Sequence, residues 1–491
     1  MNCAAPNWAA PNWAAPNWAA PIRVALAWTT ALACTAALAL SGCAAVGPNY
    51  HVPPGAAANA PAAKAAFQEA GQGTQSDPLP PRWWHLYDDP VLDALEEQAL
   101  AVNTDLRIAG ANLARARAVV DVANAAKEPD FRVSVEVERA RLSGESFLLT
   151  EPLPVANLGD LNAGVRYQID LFGQIRRSIA AARADEAASE ATVRAVKVTL
   201  AAEVARAYLT QCAAGEALAI GTEAIAVDTR ALDIARQLMA AGRAGKIDVT
   251  RAEGRLAQVT AMVPAQRARS RAALYRLAFL MGKAPADGPH TACATIPAIA
   301  RVLPVGDGAA LIARRPDVHV AERQLAGATA RIGVATAALY PQIGIGLSGG
   351  SFGFLKDLGT AAANTWSIGG LLQWSIPGGG ARARVRGANA DADAALARFD
   401  GTVLSALRET ETALATYAED HNRALALDQA LAAALRESNE TRRLRAAGRM
   451  PVLASISAAQ NTLAARSAQT GAREAIALDQ VNIFLALGGG W

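Results

Sequence analysis

The chain has 491 residues, of which 52% are apolar but only 5% aromatic, and its net charge is +3. Lys and Arg are interspersed with Asp and Glu, so the balance gives no electrostatic footprint for nucleic acid and reads as solvated helix faces. The apolar residues are mostly Ala, with Leu and Val, which suits closely packed helices rather than one thick core.

Residues 4–21 repeat Ala-Ala-Pro-Asn-Trp three times, a low-complexity segment that buries no core. Arg23, the apolar run Val24–Leu40 and the small residues Ser41 and Gly42 follow, a secretory signal pattern. Leu40-Ser41-Gly42-Cys43 resembles a bacterial lipobox. That resemblance implies cleavage after residue 42, with Cys43 as the first mature residue, carrying S-diacylglycerol and an N-acyl chain. Ala44 stands where an Asp would imply retention in the inner membrane, so the outer membrane is expected.

Residues 43–87, rich in Pro, Gly and Ala, are expected as an extended arm. A first repeat, 88–282, opens with a helix predicted from Pro90 to Lys127. Phe131, Val133, Val135 and Val137 alternate with Arg132, Ser134, Glu136 and Glu138, so a strand is predicted over about 131–139. A loop from Arg141 to Gly159 precedes a second strand over about 161–171. There Leu161, Ala163, Val165, Tyr167, Ile169 and Leu171 alternate with polar residues or Gly. The period then turns helical, with no Pro until past Ala240-Ala241-Gly242. Roughly 68 residues of helix at 1.5 Å each span about 100 Å, a rod that no compact core needs. A turn at about 242–248 leads to a return helix from Ile247 to Met281.

After a Pro- and Gly-rich linker at 283–308 the pattern recurs at 309–491. A helix is predicted from Ala309 to Ala338, a strand over about 342–349, a Gly-rich loop, and a strand over about 366–376. In the last, Trp366, Ile368, Leu372, Trp374 and Ile376 share one side. A helix from Ala381 to Ala446, a turn at 447–451 and a return helix to Leu487 complete it. Helix, hairpin, long helix, turn and helix thus occur twice, an internal duplication.

The four predicted strands have the length a tilted strand needs to cross a bilayer, about 9–11 residues, and the alternation of a barrel wall. A half-buried soluble sheet alternates identically, and both readings stay open at this point. Four strands are too few to close a barrel, and an open edge is not viable in lipid. The choice is a soluble sheet or one barrel shared by several chains. Trp366 and Trp374 suit a membrane interface. His51, His85, His290, His319 and His421 are scattered without metal-ligand spacing, and no nucleophile motif or phosphate loop stands in a strand-to-helix context. No catalytic or metal site, no cofactor and no enzymatic activity is expected. Five Cys show no metal spacing, and Cys212 and Cys293 are expected as unpaired thiols, a bridge being left open.

Several short motifs occur in order over nearly the whole mature chain: Val46-Gly47-Pro48-Asn49-Tyr50 with Pro53, Arg82-Trp83-Trp84, and Asp88-Asp89-Pro90-Val91-Leu92. Then come Asp170-Leu171-Phe172-Gly173, Arg314-Arg315-Pro316-Asp317-Val318, Leu339-Tyr340-Pro341-Gln342 and Ala486-Leu487-Gly488-Gly489-Gly490-Trp491. As a set they resemble the TolC-like outer membrane factors, in their efflux lipoprotein branch. The resemblance implies a mainly α fold with a membrane β-barrel. A homotrimer would close one twelve-stranded barrel, with the long helices wrapped into a hollow coiled-coil cylinder in the periplasm. It implies a passive exit duct for small molecules, served by a periplasmic adaptor and an inner-membrane resistance-nodulation-division transporter. A protein-secretion duct or a structural envelope lipoprotein is the alternative. Five Met without a cluster argue against a copper or silver exporter.

By the same resemblance the turns around Gly242 and Gly448 form the periplasmic tip that meets the adaptor. Asp248 matches an acid that pairs with an Arg on the neighbouring coil and holds the tip closed; a favourable first-turn acid on the helix dipole is the plainer reading. Arg449 is the nearest cation, offset by one from the family's Arg, where Met450 stands. Related channels carry inward Asp residues where this chain has Ala454, Ser455, Ser457 and Ala458, and no carboxylate occurs between Gly448 and Gly471.

Overall fold

The structure is a computed structural model that describes residues 45–71, 73–145, 148–291, 293–299, 301–376 and 379–489. The signal segment and Cys43 lie outside the described residues, as do Pro377, Gly378, Gly490 and Trp491. In chain order the elements are β1 (Thr74–Gln75), α1 (Pro90–Val102), α2 (Thr104–Ala125), β2 (Asp130–Ala140), β3 (Ala156–Ile169), α3 (Gln174–Ala240) and α4 (Lys246–Leu280). After them come β4 (Leu303–Pro304), α5 (Gly308–Arg314), α6 (Pro316–Ala337), β5 (Gln342–Phe354), β6 (Asn364–Gln373), α7 (Gly379–Ala446) and α8 (Val452–Ala486). The duplication holds element by element: α2 and α6 have 22 residues each, α3 and α7 have 67 and 68, and α4 and α8 have 35 each.

The chain folds into two compact units. The first is a sheet unit, built from residues 45–47, 127–177 and 333–382. Its four strands pair antiparallel in the order β2-β3-β5-β6. Two of the sequence motifs meet where strand β3 ends. The Asp170 carboxylate accepts from the backbone N–H of Ile175 and Arg176, both at 3.0 Å, and so opens α3. Arg177 donates to the carbonyls of Val46 (3.0 Å) and Gly47 (2.8 Å). Gly173 sits at φ +80°, and a Cβ there would lie 2.4 Å from the Ala45 Cβ, so the Phe172-Gly173 turn must be Gly for two reasons. Phe172 stacks on Tyr340, centroids 4.6 Å apart.

Strand bounds differ from those read in the sequence, each for a visible reason. The Gly-rich segment predicted as a loop continues β5 to Phe354. Gly350 is a strand residue pressed against its neighbour; a Cβ there would meet the Leu161 carbonyl oxygen at 2.1 Å. Strand β3 correspondingly starts early: its residues from Leu158 on pair with the extended β5, and Ala156 and Asn157 pair with Ala140 and Arg139 of β2. Strand β6 ends at Gln373, and Trp374, just beyond it, donates its indole N–H to the Leu339 carbonyl at 3.0 Å.

The second unit is helical, built from residues 48–126, 178–332 and 383–489. Two helices predicted as continuous are broken. At Asn103 the chain leaves helical geometry, and the side chain caps α2 by accepting from Asp105 and Leu106 N–H at 2.9 and 3.1 Å. The same amide donates to the Leu280 carbonyl at 2.9 Å, so tertiary contact rewards the break. At Arg315 the following Pro316 forbids helical backbone, and α5 ends. The arm is packed rather than free: Phe67, Leu79, Trp83 and Trp84 are buried, and β1 pairs in parallel with β4. Trp83 lies against Phe484, centroids 4.7 Å apart.

The Arg314-Arg315-Pro316-Asp317 motif holds the C-terminal end of α8. Arg315 donates to the Ala486 carbonyl (2.7 Å) and pairs with Asp317 (2.6 Å) and Glu409 (2.9 Å), while Arg314 donates to the Leu487 carbonyl (2.9 Å). On α1, Glu96 is fully buried with neither carboxyl oxygen hydrogen-bonded among the described residues, and burial pushes its pKa well above the usual carboxylate range.

The expectation of unpaired thiols is overturned. Cys212 on α3 and Cys293 in the linker form a disulfide, with Cα atoms 4.6 Å apart. The Pro- and Gly-rich linker is pressed onto α3. A Cβ at Gly215 would lie 2.1 Å from the Cys293 carbonyl oxygen, and Gln211 donates to the Thr291 carbonyl at 3.0 Å. With the two Cys 81 positions apart, no local spacing signalled the bridge.

Candidate functional site

The sheet unit has two unlike faces. Phe131, Val133, Val135 and Val137 of β2 share a face with Leu161, Ala163 and Val165 of β3, with Ile345 and Leu347 of β5, and with Trp366 and Ile368 of β6. This apolar face is bare: Phe131 is 76% exposed, Val135 69%, Trp366 79% and Ile368 74%. On the opposite face the register aligns Arg132, Gly164, Ser348 and Ser367 in one row and Ser134, Asn162, Gly350 and Thr365 in the next. The Ser348 and Ser367 hydroxyls are 2.8 Å apart. This face is hollowed into a groove of about 480 Å³ lined by Asp130, Arg132, Asn162 and Arg166, among others.

Both edge strands, β2 and β6, pair on one side only among the described residues. A bare apolar face is untenable in water, and unpaired backbone edges are untenable in lipid. Strands of 10 to 14 residues are long enough to span a bilayer when tilted. Both difficulties vanish only if the apolar face meets lipid and further strands cover the two edges. No helix among the described residues is long and apolar enough to cross a membrane.

In the helical unit, α3 and α8 run antiparallel in a constant register. Arg206 bonds Asn482, Glu216 bonds Thr470, Glu223 bonds Arg466, and Asp228 bonds Gln460. From the last pair, 14 residues lead to Gly242 and 12 lead back to Gly448. At 1.5 Å per residue those are about 21 and 18 Å in the same direction. The two turns therefore lie level at one end of the unit, although about two hundred residues of sequence separate them.

The turns are built alike. Gly242 (φ +67°) and Gly448 (φ +70°) take the left-handed conformation that ends a helix. Arg243 N–H reaches back to the Leu238 carbonyl at 2.8 Å, and Arg449 N–H to Leu444 at 2.9 Å. The next helices start differently. Asp248 accepts from Gly245 N–H at 3.0 Å and so caps the start of α4, and its other oxygen lies 3.5 Å from Arg251. Helix α8 starts after Pro451 with no side-chain cap. Among the described residues no ion pair joins Asp248 to Arg449. Of the residues singled out in the sequence, Gly242, Asp248, Gly448 and Arg449 are brought to one end, and Trp366 and Trp374 belong to the sheet unit; Cys43 lies outside the described residues. What the sequence reading passed over is the company of Asp248 and Arg449: several further arginines sit at the same end.

Comparison with known proteins follows the same architecture. A family model described as "Outer membrane efflux protein" matches residues 95–283 and 309–489, the two halves of the duplication. Nodulation protein T of Rhizobium leguminosarum bv. trifolii is 31% identical over 382 residues, covering 77% of this chain and 79% of that protein. Outer membrane protein OprJ of Pseudomonas aeruginosa is 29% identical over 471 residues, covering 93% and 94%. Among solved structures, the outer-membrane channel OprN superposes with a TM-score of 0.81 at 33% identity, over 91% of this chain and 99% of that one.

Proposed function

The chain belongs to the outer membrane efflux protein family and is an outer-membrane efflux channel rather than an enzyme; from that premise we propose that three copies assemble into one exit duct. In this reading each chain contributes the four-stranded sheet to one barrel, with its apolar face to lipid and its polar groove to the lumen. The long helices line the periplasmic part. A periplasmic adaptor meets the two turns, and an inner-membrane resistance-nodulation-division transporter delivers small molecules into the duct. The observation that carries the assembly is the sheet itself: one bare apolar face and two edges that are unpaired among the described residues. A structural tether has no use for such a sheet. The test is the purified protein in planar bilayers, with its mass measured under native conditions. Conducting trimers are expected; a stable conducting monomer overturns the assembly.

Cys43 is the proposed anchor. In Cys43→Ser protein, lipid labelling is expected to vanish and outer-membrane targeting to weaken, with trimers retained because the barrel also holds the protein in the membrane. Wild-type protein whose N-terminus starts before Cys43, with no added mass, defeats the anchor.

The turns are proposed as the gate. Asp248 keeps capacity for a partner from another chain, since its side chain is 45% exposed and its Arg251 contact is long. One exposed pair contributes only about 0–1 kcal/mol, but three symmetry-related pairs act together on one aperture. Asp248→Ala is expected to raise single-channel conductance, and Arg449→Ala to do the same without adding to it. If both variants conduct like wild type at low and high salt, capping α4 is the whole role of Asp248.

A further inference from the structure

Three helices of the helical unit enclose a slot. Its floor is α3, and its walls are α4 and α8, which both return from their turns in the same direction. The slot has a volume of about 440 Å³, within the range of small-molecule sites. Small residues keep it open. Ala217, Gly221 and Ala224 form the floor, and a Cβ at Gly221 would already lie 3.2 Å from the Val263 Cγ2. Val259 and Met262 of α4 and Leu463 of α8 give the walls an apolar lining, and Met262 is left 56% exposed.

Polar groups stand at both ends of the slot. At the end nearer the turns the Asp228 side chain of α3 is only 3% exposed. Gln460 of α8 donates to its Oδ1, and the Arg255 guanidinium of α4 lies 3.5 Å from the same oxygen. Arg255 is half exposed and its contact is long, so it can swing into water at little cost. Asp228 is fixed on the floor and cannot. Toward the other end, eleven residues along α4 and about 16 Å away, stands Gln266. Its Oε1 is buried and has no hydrogen-bond partner among the described residues. A buried acceptor left without a donor is a standing cost to the fold, which a ligand that donates to it removes. Three residues farther on, Arg269 pairs with Glu474 and joins the two walls.

We propose that this slot binds an organic cation, a protonated amine on an apolar body up to about 16 Å long. The ammonium takes the place of Arg255 at Asp228. The body displaces water from Val259, Met262 and Leu463, and a donor at its far end, where the ligand has one, meets Gln266. Burial sets the sign of the ligand: the carboxylate stays in the slot, while the cation beside it is free to leave. A hydrogen bond from an ammonium to a buried carboxylate is stronger than one from a neutral hydroxyl, so an amine is preferred over its uncharged isostere. An occupant touches α3, α4 and α8 at once. The site belongs to three helices of one chain and does not rest on the exit-duct reading.

The test is calorimetry on the full-length protein in lipid nanodiscs, with empty nanodiscs as the blank. Three probes share one apolar body: phenylhexylamine, phenylhexanol and phenylhexanoate. The amine is expected to bind about tenfold more tightly than the alcohol, and the carboxylate most weakly. Arg255→Ala unmasks Asp228 and is expected to tighten the amine severalfold without changing the alcohol. Asp228→Asn is expected to erase the difference between amine and alcohol. Ala464→Phe fills the slot from the α8 wall and is expected to remove binding of all three. An amine that binds no better than the alcohol, or a carboxylate that binds best, overturns the proposal. So does an Arg255→Ala or Ala464→Phe variant that binds the amine like wild type. Binding of no probe overturns it as well, and shows that another part of the assembled protein occupies the slot. If Asp228→Asn yields no folded protein, Arg255→Ala and Ala464→Phe decide the question.

Discussion

Val135→Arg is expected to remove the protein from the outer membrane, whereas Ser134→Arg, one residue away, leaves it there. Both stand at the middle of the eleven-residue strand β2, on opposite faces: Val135 lies beside Leu161 on the apolar face, and Ser134 beside Asn162 on the polar one. An Arg on the lipid side of a barrel near the bilayer midplane costs about 2–4 kcal/mol per chain. In a trimer the cost is incurred three times, about 6–12 kcal/mol, which is comparable to the whole stability of an ordinary domain. The Ser134 substitution places its charge in a hydrated groove, in a row whose other members are Asn162, Gly350 and Thr365, and changes conductance instead. Membrane fractionation and the yield of intact trimers read the contrast. Val135→Arg trimers as abundant in the membrane as wild type refute the assignment of the faces.

Loss of the Cys212–Cys293 disulfide is expected to cost the next largest amount. The bridge closes a loop across 81 residues of sequence, and restricting the unfolded chain by a loop of that size is worth about 4–5 kcal/mol. The loop holds most of the α3–α4 hairpin, including the Gly242 turn, so the bridge ties the linker to α3 at the base of that hairpin. Cys212→Ala with Cys293→Ala is expected to move the guanidinium unfolding midpoint down with little change in slope, and wild type unfolded in reductant is expected to follow the same curve. Such a bridge also fits an oxidising compartment, as the periplasm is. A double variant with the wild-type midpoint shows that contacts such as Gln211 to Thr291 hold the linker without it.

What the amino-acid sequence determined by itself was local and periodic. Val133, Val135 and Val137 against Arg132, Ser134 and Glu136 specify a two-faced strand in any context, because side chains alternate whatever the strand pairs with. The stretch from Gln174 to Ala240 has no Pro, and left-handed Gly242 and Gly448 end the two longest helices, so rods and turns were readable from chemistry within a few residues. Tertiary structure decided what depends on partners distant in sequence. Whether Gly349 and Gly350 form loop or strand was decided by the approach of β3, which leaves no room for a side chain at Gly350. Whether α1 continued into α2 was decided by the Leu280 carbonyl waiting for Asn103. The thiols of Cys212 and Cys293 met because the linker folds back on α3, and nothing near either residue encodes that path. The cations at the two turns were visible one by one, but only the antiparallel register of α3 and α8 brings Gly242 and Gly448 level and gathers them into one charged end. Alternation and helix-ending signals are short-range and survive in sequence; register and closure are long-range, and they exist only once the chain has folded.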